Sequence, residues 1–253
     1  MISKQTDLKR MNILNIPIDA LTMDETVQLI DSSIQQKKFI RHVAINTDII
    51  VKAQKDAVLK EAIETSELIN ADGIWIVWAS RFLKQSLPER ISATDLMGNL
   101  VKLAAEKNYK IFFLGAREEI VKATVDVYEK KYSKNIISGY RNGYFKKEDE
   151  INVARQIGVS GADILFVAIS SPIKEIFLHR YQRVLGVPFI MGVGGAFDVI
   201  SGSVQRAPIW IQKCGFEWFY RFLQEPRRMW KRYLFGNSKF IWMVLREKFR
   251  QMF

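Results

Sequence analysis

The chain has 253 residues, 48% of them hydrophobic, so it can bury a large core in one or two domains. Its net charge of +11 is strongly basic, and its one cysteine excludes an intrachain disulfide. The sequence has no secretory-signal pattern and no run of about 18 uncharged apolar residues that could span a membrane. We therefore expect a cytoplasmic protein that is at most peripheral on the inner leaflet of the cell membrane.

The predicted elements begin with one strand at 12–18, followed by a helix that the capping-box residues Thr22 and Glu25 start. Thr94 and Asp95 are expected to cap a later helix. Further apolar strands, separated by helical segments, are predicted at 39–45, 68–73, 110–115, 135–140, 163–169 and 189–193. Strands that are apolar throughout are typical of buried parallel sheets. We therefore predict an α/β fold, a Rossmann-like, mostly parallel sheet with helices on both faces.

Ligands of parallel sheets bind beyond the carboxyl ends of the strands, so the chemistry is expected there. The residues at these ends are Asn46 and Thr47, Asp72 and Gly73, Gly115 and Ala116, Ser170 and Ser171, and the segment from Gly192 to Gly195. Among these, Gly192, Gly194 and Gly195 let the backbone turn tightly and approach a ligand closely. Asp198 and Arg206 follow, an order that suggests a phosphate-bearing ligand.

Asp72 has two interpretations that the sequence leaves open. It can be the Asp of an Asp-Gly turn or a helix N-cap. It can also be a catalytic carboxylate at the sheet edge. In that case the neighbouring Ile74, Trp75 and Trp78 would partly exclude water, raise its pKa and make it a general base.

Cofactor patterns are weak in this chain. Gly115 could hold a phosphate at a helix N-terminus, but it fits a plain strand-to-helix turn as well. The later glycines lack the dinucleotide spacing, because Phe197 stands where a third glycine would be. Two histidines and one cysteine make a zinc site unexpected, and the chain contains no Asp-x-Asp pair. We therefore predict no metal and no cofactor. A sugar-nucleotide enzyme built on this chain would lack the usual magnesium ligands, so cationic side chains would have to neutralise its leaving diphosphate.

The segment 206–253 differs in composition from the rest of the chain. It holds eleven Lys and Arg against three Glu, and four of the six tryptophans. Basic charge interleaved with aromatics favours an anionic membrane surface over nucleic acid. A helix beginning near Pro226 would place Arg228, Lys231 and Arg232 on one face, although a merely solvated basic helix is the alternative. We predict an α/β catalytic domain at 1–205 and a helical, membrane-associating appendage at 206–253 that completes the active site.

Several short motifs together resemble a known family. They are Ala-Asp-Gly (71–73), Pro-Glu-Arg-Ile-Ser-Ala-Thr-Asp-Leu (88–96), Phe-Leu-Gly (113–115), Ser-Pro-x-x-Glu (171–175), Gly-Val-Gly-Gly-Ala-Phe-Asp (192–198), Gly-Ser-Val-Gln-Arg-Ala-Pro (202–208), Glu-Trp-Phe-Tyr-Arg (217–221) and Glu-Pro-Arg-Arg with Arg-Tyr (225–233). Across roughly residues 12 to 235 the chain resembles the WecG/TagA/CpsF family of bacterial glycosyltransferases.

The resemblance implies an inverting, metal-independent transfer of a sugar from a UDP-sugar to an undecaprenyl-diphosphate-linked sugar, in cell-surface polysaccharide synthesis. It implies that Asp72 is the base and that cations at Arg221, Arg228, Lys231 and Arg232 close over the site and bind phosphate. Arg206 would stabilise the diphosphate with them. The other expected substrate-binding residues are Asn46, Thr47, Gly73, Arg90, Asp95, Gly115, Lys174, Glu175, Gly192, Gly194, Gly195 and Asp198.

Three positions depart from the family pattern. Ala44 stands where the teichoic-acid members have Thr, Lys174 replaces a glutamine near the nucleotide, and Ala93 stands where Gly is common. The first two leave the donor sugar open. The expected partners are the UDP-sugar, the lipid-linked acceptor and the inner membrane surface, without nucleic acid, and the sequence leaves a homo-oligomer open. A Rossmann-type nucleotide-dependent oxidoreductase or epimerase is the alternative function.

Overall fold

The computed structural model describes residues 8–132, 134–227 and 236–252. It begins with a hairpin of two antiparallel strands, β1 (Arg10–Ile13) and β2 (Ile16–Asp19). The prediction of a single strand at 12–18 is therefore wrong. Leu14 and Asn15 form the turn with φ of 53° and 62°, the left-handed conformation of a two-residue hairpin turn. Because neither residue is glycine, the sequence gives no strong signal of this turn.

Six further strands form one parallel sheet within the described residues. In chain order they are β3 (Ile40–Ile45), β4 (Leu68–Ala71), β5 (Ile111–Gly115), β6 (Ile137–Arg141), β7 (Ile164–Ala168) and β8 (Phe189–Gly192). Their order across the sheet is β4-β3-β8-β7-β5-β6. The predicted α/β class with a parallel sheet is confirmed.

Helices connect the strands and continue beyond the last one. They are α1 (Met23–Gln35), α2 (Thr47–Ala53), α3 (Ala57–Glu64), α4 (Ile74–Phe82), α5 (Ala93–Lys107), α6 (Glu118–Lys131), α7 (Glu150–Gly158), α8 (Ile173–Leu185), α9 (Ala196–Ile200), α10 (Ile209–Lys213), α11 (Glu217–Gln224) and α12 (Ser238–Arg250). The capping box of Thr22 and Glu25 at the start of α1 is confirmed. The cap predicted for α5 is wrong, because Ser92 is its N-cap and accepts a hydrogen bond from the backbone of Asp95.

Helices cover both faces of the sheet, and the core divides accordingly. One face packs against α1, α5, α6 and α9, with Phe113, Phe166 and Phe197 fully buried between them. On the other face α7 and α8 cover one part, while α2, α3, α4 and the hairpin cover β3 and β4. Helix α12 joins the latter group, since its Phe240 and Val244 are buried there.

The last strand decides where the crevice of the sheet lies. β8 lies between β3 and β7. Strand β4 lies beyond β3, and strands β5 and β6 lie beyond β7. After β3 the chain enters α2 on one face, whereas after β8 it enters α9 on the opposite face. The carboxyl ends of β3 and β8 therefore flank the crevice in which open α/β sheets bind their ligands.

Gly115 ends β5 in a conformation that other residues adopt only with strain. Its φ is +126°, and a Cβ there would lie 2.4 Å from the carbonyl oxygen of Ala168. We expect Gly115→Ala to lower the free energy of unfolding by about 3 kcal/mol or more, and so to lower Tm by roughly 6 to 12 °C. The control is Gly98→Ala within α5. No atom lies within 4 Å of its added methyl, so this variant should gain up to about 1 kcal/mol. Thermal melts in which both variants match the parent would contradict the assignment.

Candidate active site

The crevice gathers three strand ends that the sequence predicts to be functional. Asn46 follows β3 and caps α2, its side chain accepting a hydrogen bond of 3.1 Å from the Ile49 N–H. Asp72 follows the adjacent β4, and Gly194 and Gly195 follow β8 on the other side. Neighbouring strands lie about 4.8 Å apart, so these ends fall within roughly 10 Å of one another.

Asp72 is half-buried and held at two points. Its backbone N–H donates a hydrogen bond of 2.8 Å to the carbonyl of Ile45, which ties β4 to β3. Its Oδ1 accepts one of 3.1 Å from the backbone N–H of Ala93, the first residue of α5. The carboxylate thus lies at the N-terminus of a 15-residue helix, whose partial positive charge favours its ionised form. The next residue, Gly73, is the N-cap of α4 and lies against Asn46.

An ionic network connects the start of α5 with α11. Arg206 binds Asp95 through its two terminal nitrogens, with Nη1 2.6 Å from Oδ1 and Nη2 2.7 Å from Oδ2. Its Nε lies 3.5 Å from Oε1 of Glu217. Arg90 donates to the other oxygen of Glu217 at 2.9 Å. Glu217 therefore holds two arginines that the sequence predicts to bind substrate, and Asp95 is the partner of one of them. The network places both arginines close to the start of α5, where Asp72 accepts the hydrogen bond from Ala93.

Burial and charge act in opposite directions on Asp95. Burial alone would raise its pKa, but the hydrogen bond and charge of Arg206, together with the charge of Arg90, hold the pKa below its ordinary value. The hydrogen bond from Arg206 to Asp95 in turn raises the pKa of Arg206. Because the pKa of Asp95 is depressed in the folded state, its contribution to stability is complete above about pH 5. That contribution is lost as the pH falls through the folded-state pKa.

Arg221 lies on the other side of the crevice, over the glycine turn after β8. Its guanidinium is 3.8 Å from Asp198 and 3.6 Å from Glu225. A Cβ at Gly195 would be 2.4 Å from its Nη2, so only glycine lets the guanidinium rest on this backbone. The structure thus places Arg221 at the glycine turn that ends β8, and its role in binding phosphate stays a prediction. The other predicted cations of the appendage, Arg228, Lys231 and Arg232, lie outside the described residues.

Thr47 has a different partner from the one expected. Its hydroxyl donates a hydrogen bond of 2.8 Å to Oδ1 of Asn237, and both side chains are buried. Asn237 immediately precedes α12, so the bond fastens the start of that helix to the strand end that carries Asn46. In this structure Thr47 holds the appendage in place rather than facing the crevice.

Lys174 and Glu175 lie beneath the crevice. Their side chains form an ion pair and are only 10% and 3% exposed. Lys174 packs directly on Gly192, where a Cβ would come within 2.8 Å of its Cε. The pair lines a small internal cavity with His42, whose pKa burial lowers to about 4. These residues support the last strand from below.

Gly115 is a predicted site residue that the order of the strands separates from Asp72. Strands β3, β8 and β7 lie between β4 and β5. Four strand spacings put Gly115 about 19 Å from Asp72. Its close approach to Ala168 accounts for the glycine without a ligand.

Two residues that the sequence analysis did not select have evident roles. Glu217 joins two of the arginines, and Asn237 anchors α12. The signal for Glu217 is present in the sequence, since it is one of three glutamates among eleven cations in the segment 206–253. Asn237 has no such signal, because its partner Thr47 is 190 residues away.

In the ranges 8–132, 134–227 and 236–252, no three His, Cys, Asp or Glu side chains lie together as a set of metal ligands. In the same ranges no helix is both long and apolar enough to cross a bilayer.

The sequence can be placed among known proteins once this geometry is in view. The model of the Glycosyl transferase WecG/TagA/CpsF family matches residues 11–253, nearly the whole chain. The chain belongs to this family. It is therefore a glycosyltransferase, and the oxidoreductase or epimerase alternative is set aside.

Two relatives are similar over most of their length. A protein of Bacillus subtilis (strain 168) is 36% identical over 204 residues, which are 81% of this chain and 78% of the relative. One from Bacillus spizizenii (strain ATCC 23059 / NRRL B-14472 / W23) is 33% identical over 215 residues, 85% of this chain and 82% of the relative. Both carry the name N-acetylglucosaminyldiphosphoundecaprenol N-acetyl-beta-D-mannosaminyltransferase.

Proposed function

We propose that this glycosyltransferase moves N-acetylmannosamine from a UDP donor to N-acetylglucosamine linked to undecaprenyl diphosphate. The names of the two relatives supply the donor sugar and the acceptor. The observation that carries the mechanism is the position of Asp72, at the helix start of α5 and in one crevice with Arg206 and Arg221. The product would feed synthesis of a cell-surface polysaccharide.

Asp72 is assigned as the general base. Its carboxylate accepts the proton of the acceptor hydroxyl while that oxygen attacks the anomeric carbon. The bond from this carbon to the donor phosphate breaks on the opposite face, so the configuration inverts and UDP leaves with the electron pair. The hydrogen bond from Ala93 fixes the carboxylate, which reduces the reorganisation needed when the proton is transferred.

Arginines are assigned to the leaving diphosphate, in place of a metal. Arg206 and Arg221 present guanidinium groups to the crevice from two sides, and planar guanidinium groups can bind phosphate through two hydrogen bonds. In the structure both are engaged by carboxylates, Arg206 by Asp95 and Glu217, and Arg221 by Asp198. A diphosphate would compete for these cations, and fixed charges stabilise the negative charge that develops on the departing oxygen.

The departures from the family pattern do not point to another sugar. Ala44 is 8% exposed and lies in β3, and Lys174 is buried under Gly192. Both line the internal cavity rather than the crevice. The donor assignment therefore rests on the names of the two relatives and not on these two positions.

The division at residue 205 is proposed as functional. Beyond it, α11 supplies Arg221 and Glu217 to the crevice, and the appendage exposes several large apolar side chains. Examples are Ile209, Trp210, Leu223 and Phe249, which are 61 to 70% exposed. Together with the basic charge of this segment they fit the surface of an anionic membrane. We propose that the appendage both completes the site and docks on the inner leaflet.

The function is tested by incubating the protein with a panel of UDP-sugars and a short-chain prenyl-diphosphate N-acetylglucosamine. Mass spectrometry should show addition of one N-acetylhexosamine from UDP-N-acetylmannosamine, with activity kept after treatment with a chelator. Transfer of a different sugar would overturn the donor assignment. Activity that disappears with the chelator and returns only with magnesium or manganese would overturn the metal-independent mechanism.

The geometry of Arg206 gives a separate prediction. Arg206→Lys keeps the charge but loses the two-pronged bond to Asp95, so we expect kcat to fall at least about tenfold. The pair is partly exposed, so stability should fall by no more than about 1 kcal/mol. Arg10→Lys is the control, since Arg10 pairs with Asp19 at 2.8 Å in the hairpin. It should leave kcat unchanged. Equal kcat in both variants would remove Arg206 from the mechanism.

A further inference from the structure

An open apolar groove lies between α4 and α12. One wall carries Trp75, Trp78 and Phe82, and the other carries Phe240, Ile241 and Leu245. The α4 residues are spaced by three and four, so they share one face of the helix. The groove has a volume of about 510 Å³, counting the part open to solvent. Trp78, Phe82, Ile241 and Leu245 are each 41 to 47% exposed, so the described part of the chain does not fill it.

The groove begins at the active site and leads away from it. Helix α4 starts at Gly73, next to Asp72 and against Asn46. The bond between Thr47 and Asn237 brings the start of α12 to the same edge of the sheet. At the other end, the ammonium of Lys248 lies 5.3 Å from the ring centre of Phe82. The two helices therefore run side by side in the same direction. The nine residues of α4 make the groove about 13 Å long, roughly two to three isoprene units.

The walls indicate a hydrocarbon occupant. Phe240 closes the floor and is 2% exposed, and Trp75 packs edge-on against Trp78 with ring centres 5.1 Å apart. The side chains that line the groove are all apolar. A peptide in such a groove would leave its backbone N–H and C=O groups without partners, which is costly, whereas a hydrocarbon chain has none to satisfy.

Charge is confined to the rim and to the two ends. The site end adjoins the arginines of the crevice, and the far end carries Lys248 and Arg246, the latter 5.3 Å from the ring centre of Trp242. An apolar channel that leads from the site of sugar transfer to a basic, aromatic outer end matches an acceptor with a polar head at the site and a long apolar chain. This charge arrangement and the continuity with the active site identify the occupant.

We propose that the α4–α12 groove binds the first two to three isoprene units of the acceptor, with the rest of the polyprenyl chain leaving past Phe82 and Leu245. The proposal rests on the proposed function, because it takes the acceptor to be a polyprenyl-diphosphate sugar. In this arrangement the groove aligns the acceptor. The chain enters along α4, and the sugar that it carries comes to rest beside Asp72.

The first experiment varies the chain of the acceptor without any membrane. Soluble N-acetylglucosamine diphosphates with one, two, three and four isoprene units are compared with a methyl diphosphate. We expect KM to fall more than tenfold between one and three units and to change little from three to four, since the groove is then filled. The KM for the UDP-sugar should stay constant. Equal KM values across the series would overturn the proposal.

Substitutions at two adjacent residues distinguish the role of the groove from that of the outer surface of α12. Ile241→Glu places a charge in the groove, and Trp242→Glu places the same charge on the neighbouring position, which does not line it. Both side chains are partly exposed, so both variants should fold. We expect Ile241→Glu to abolish the dependence of KM on chain length, and Trp242→Glu to keep it. The reverse pattern would overturn the proposal.

Binding of farnesyl diphosphate, followed by tryptophan fluorescence, gives a readout that needs no catalysis. Ile241→Glu should weaken the binding of farnesyl diphosphate at least tenfold, and Trp242→Glu should leave this binding unchanged. If farnesyl diphosphate binds with this difference between the variants but no sugar is transferred to any acceptor, the proposed function fails and the groove assignment stands. If Ile241→Glu instead only lowers sedimentation with anionic phospholipid vesicles, or only changes the oligomeric mass, the occupant is a bilayer or a second copy. Either result would overturn the proposal.

Discussion

Replacing Asp72 by Asn should lower kcat about a thousandfold, since a positioned general base contributes roughly 10² to 10⁴ in rate. The amide oxygen of Asn can still accept the hydrogen bond from Ala93, so the connection between β4 and α5 survives. The basicity and the negative charge of the carboxylate are lost. Steady-state kinetics should show this fall in kcat, with UDP-sugar affinity within about twofold of the parent and Tm within about 2 °C.

The control variant replaces a carboxylate near the end of the neighbouring strand, β3. Asp48 lies in the first turn of α2 and pairs with Lys52 at 2.8 Å, so Asp48→Asn alters charge in the same region without touching the base. It should leave kcat unchanged. In the parent, the acid limb of the pH–rate profile should report the ionisation of the base, and in Asp72→Asn that limb should be absent. Turnover of Asp72→Asn within a few-fold of the parent would exclude Asp72 as the base.

A chain that ends at Ala207 should lose activity more than a thousandfold and should no longer bind anionic vesicles. It lacks Glu217 and Arg221, which contribute to the crevice from α11. It also lacks Phe240, whose burial against α4 stabilises the fold by about 2 kcal/mol, so a lower Tm is expected. Kinetics and vesicle sedimentation measure the two losses. An active truncated chain would refute the catalytic role of the appendage, and one that still binds the vesicles would refute its docking role.

Point variants keep this test independent of folding. Arg221→Ala leaves α12 in place but removes the guanidinium over Gly195, and it should lower kcat about a hundredfold or more with vesicle binding kept. Trp210 and Phe249 are 68% and 61% exposed, so replacing both by Ser should weaken vesicle binding while kcat on a soluble acceptor stays near the parent value. If the two variants lose the same property, the appendage does not separate catalysis from docking as proposed.

Most of the sheet could be predicted because its strands are short, apolar and separated by helical segments. β5, β7 and β8 carry continuous apolar runs, a local pattern that is typical of strands buried on both faces. The hairpin was missed for a local reason as well. Its turn uses Leu14 and Asn15 with positive φ, where the usual signal is a glycine.

The candidate site was predicted in its parts but not in its arrangement. The sequence marks Asp72, Asp95, Arg206 and Arg221 as chemically capable, and it places Gly115 beside them as an equal candidate. The order of the strands moves Gly115 away, because three strands intervene between β4 and β5. Strand order depends on long-range pairing, which has no counterpart in local sequence.

By itself, the sequence determined the α/β class, the family, the acid at the end of β4 and the basic, aromatic character of the last fifth of the chain. These follow from residue type and spacing, which are local properties. Only the tertiary structure decided that Asp72 is bonded to the start of α5, that Glu217 holds two arginines, and that Thr47 anchors α12. These contacts join residues 11 to 190 positions apart, and they are fixed when the core closes and polar groups find their partners.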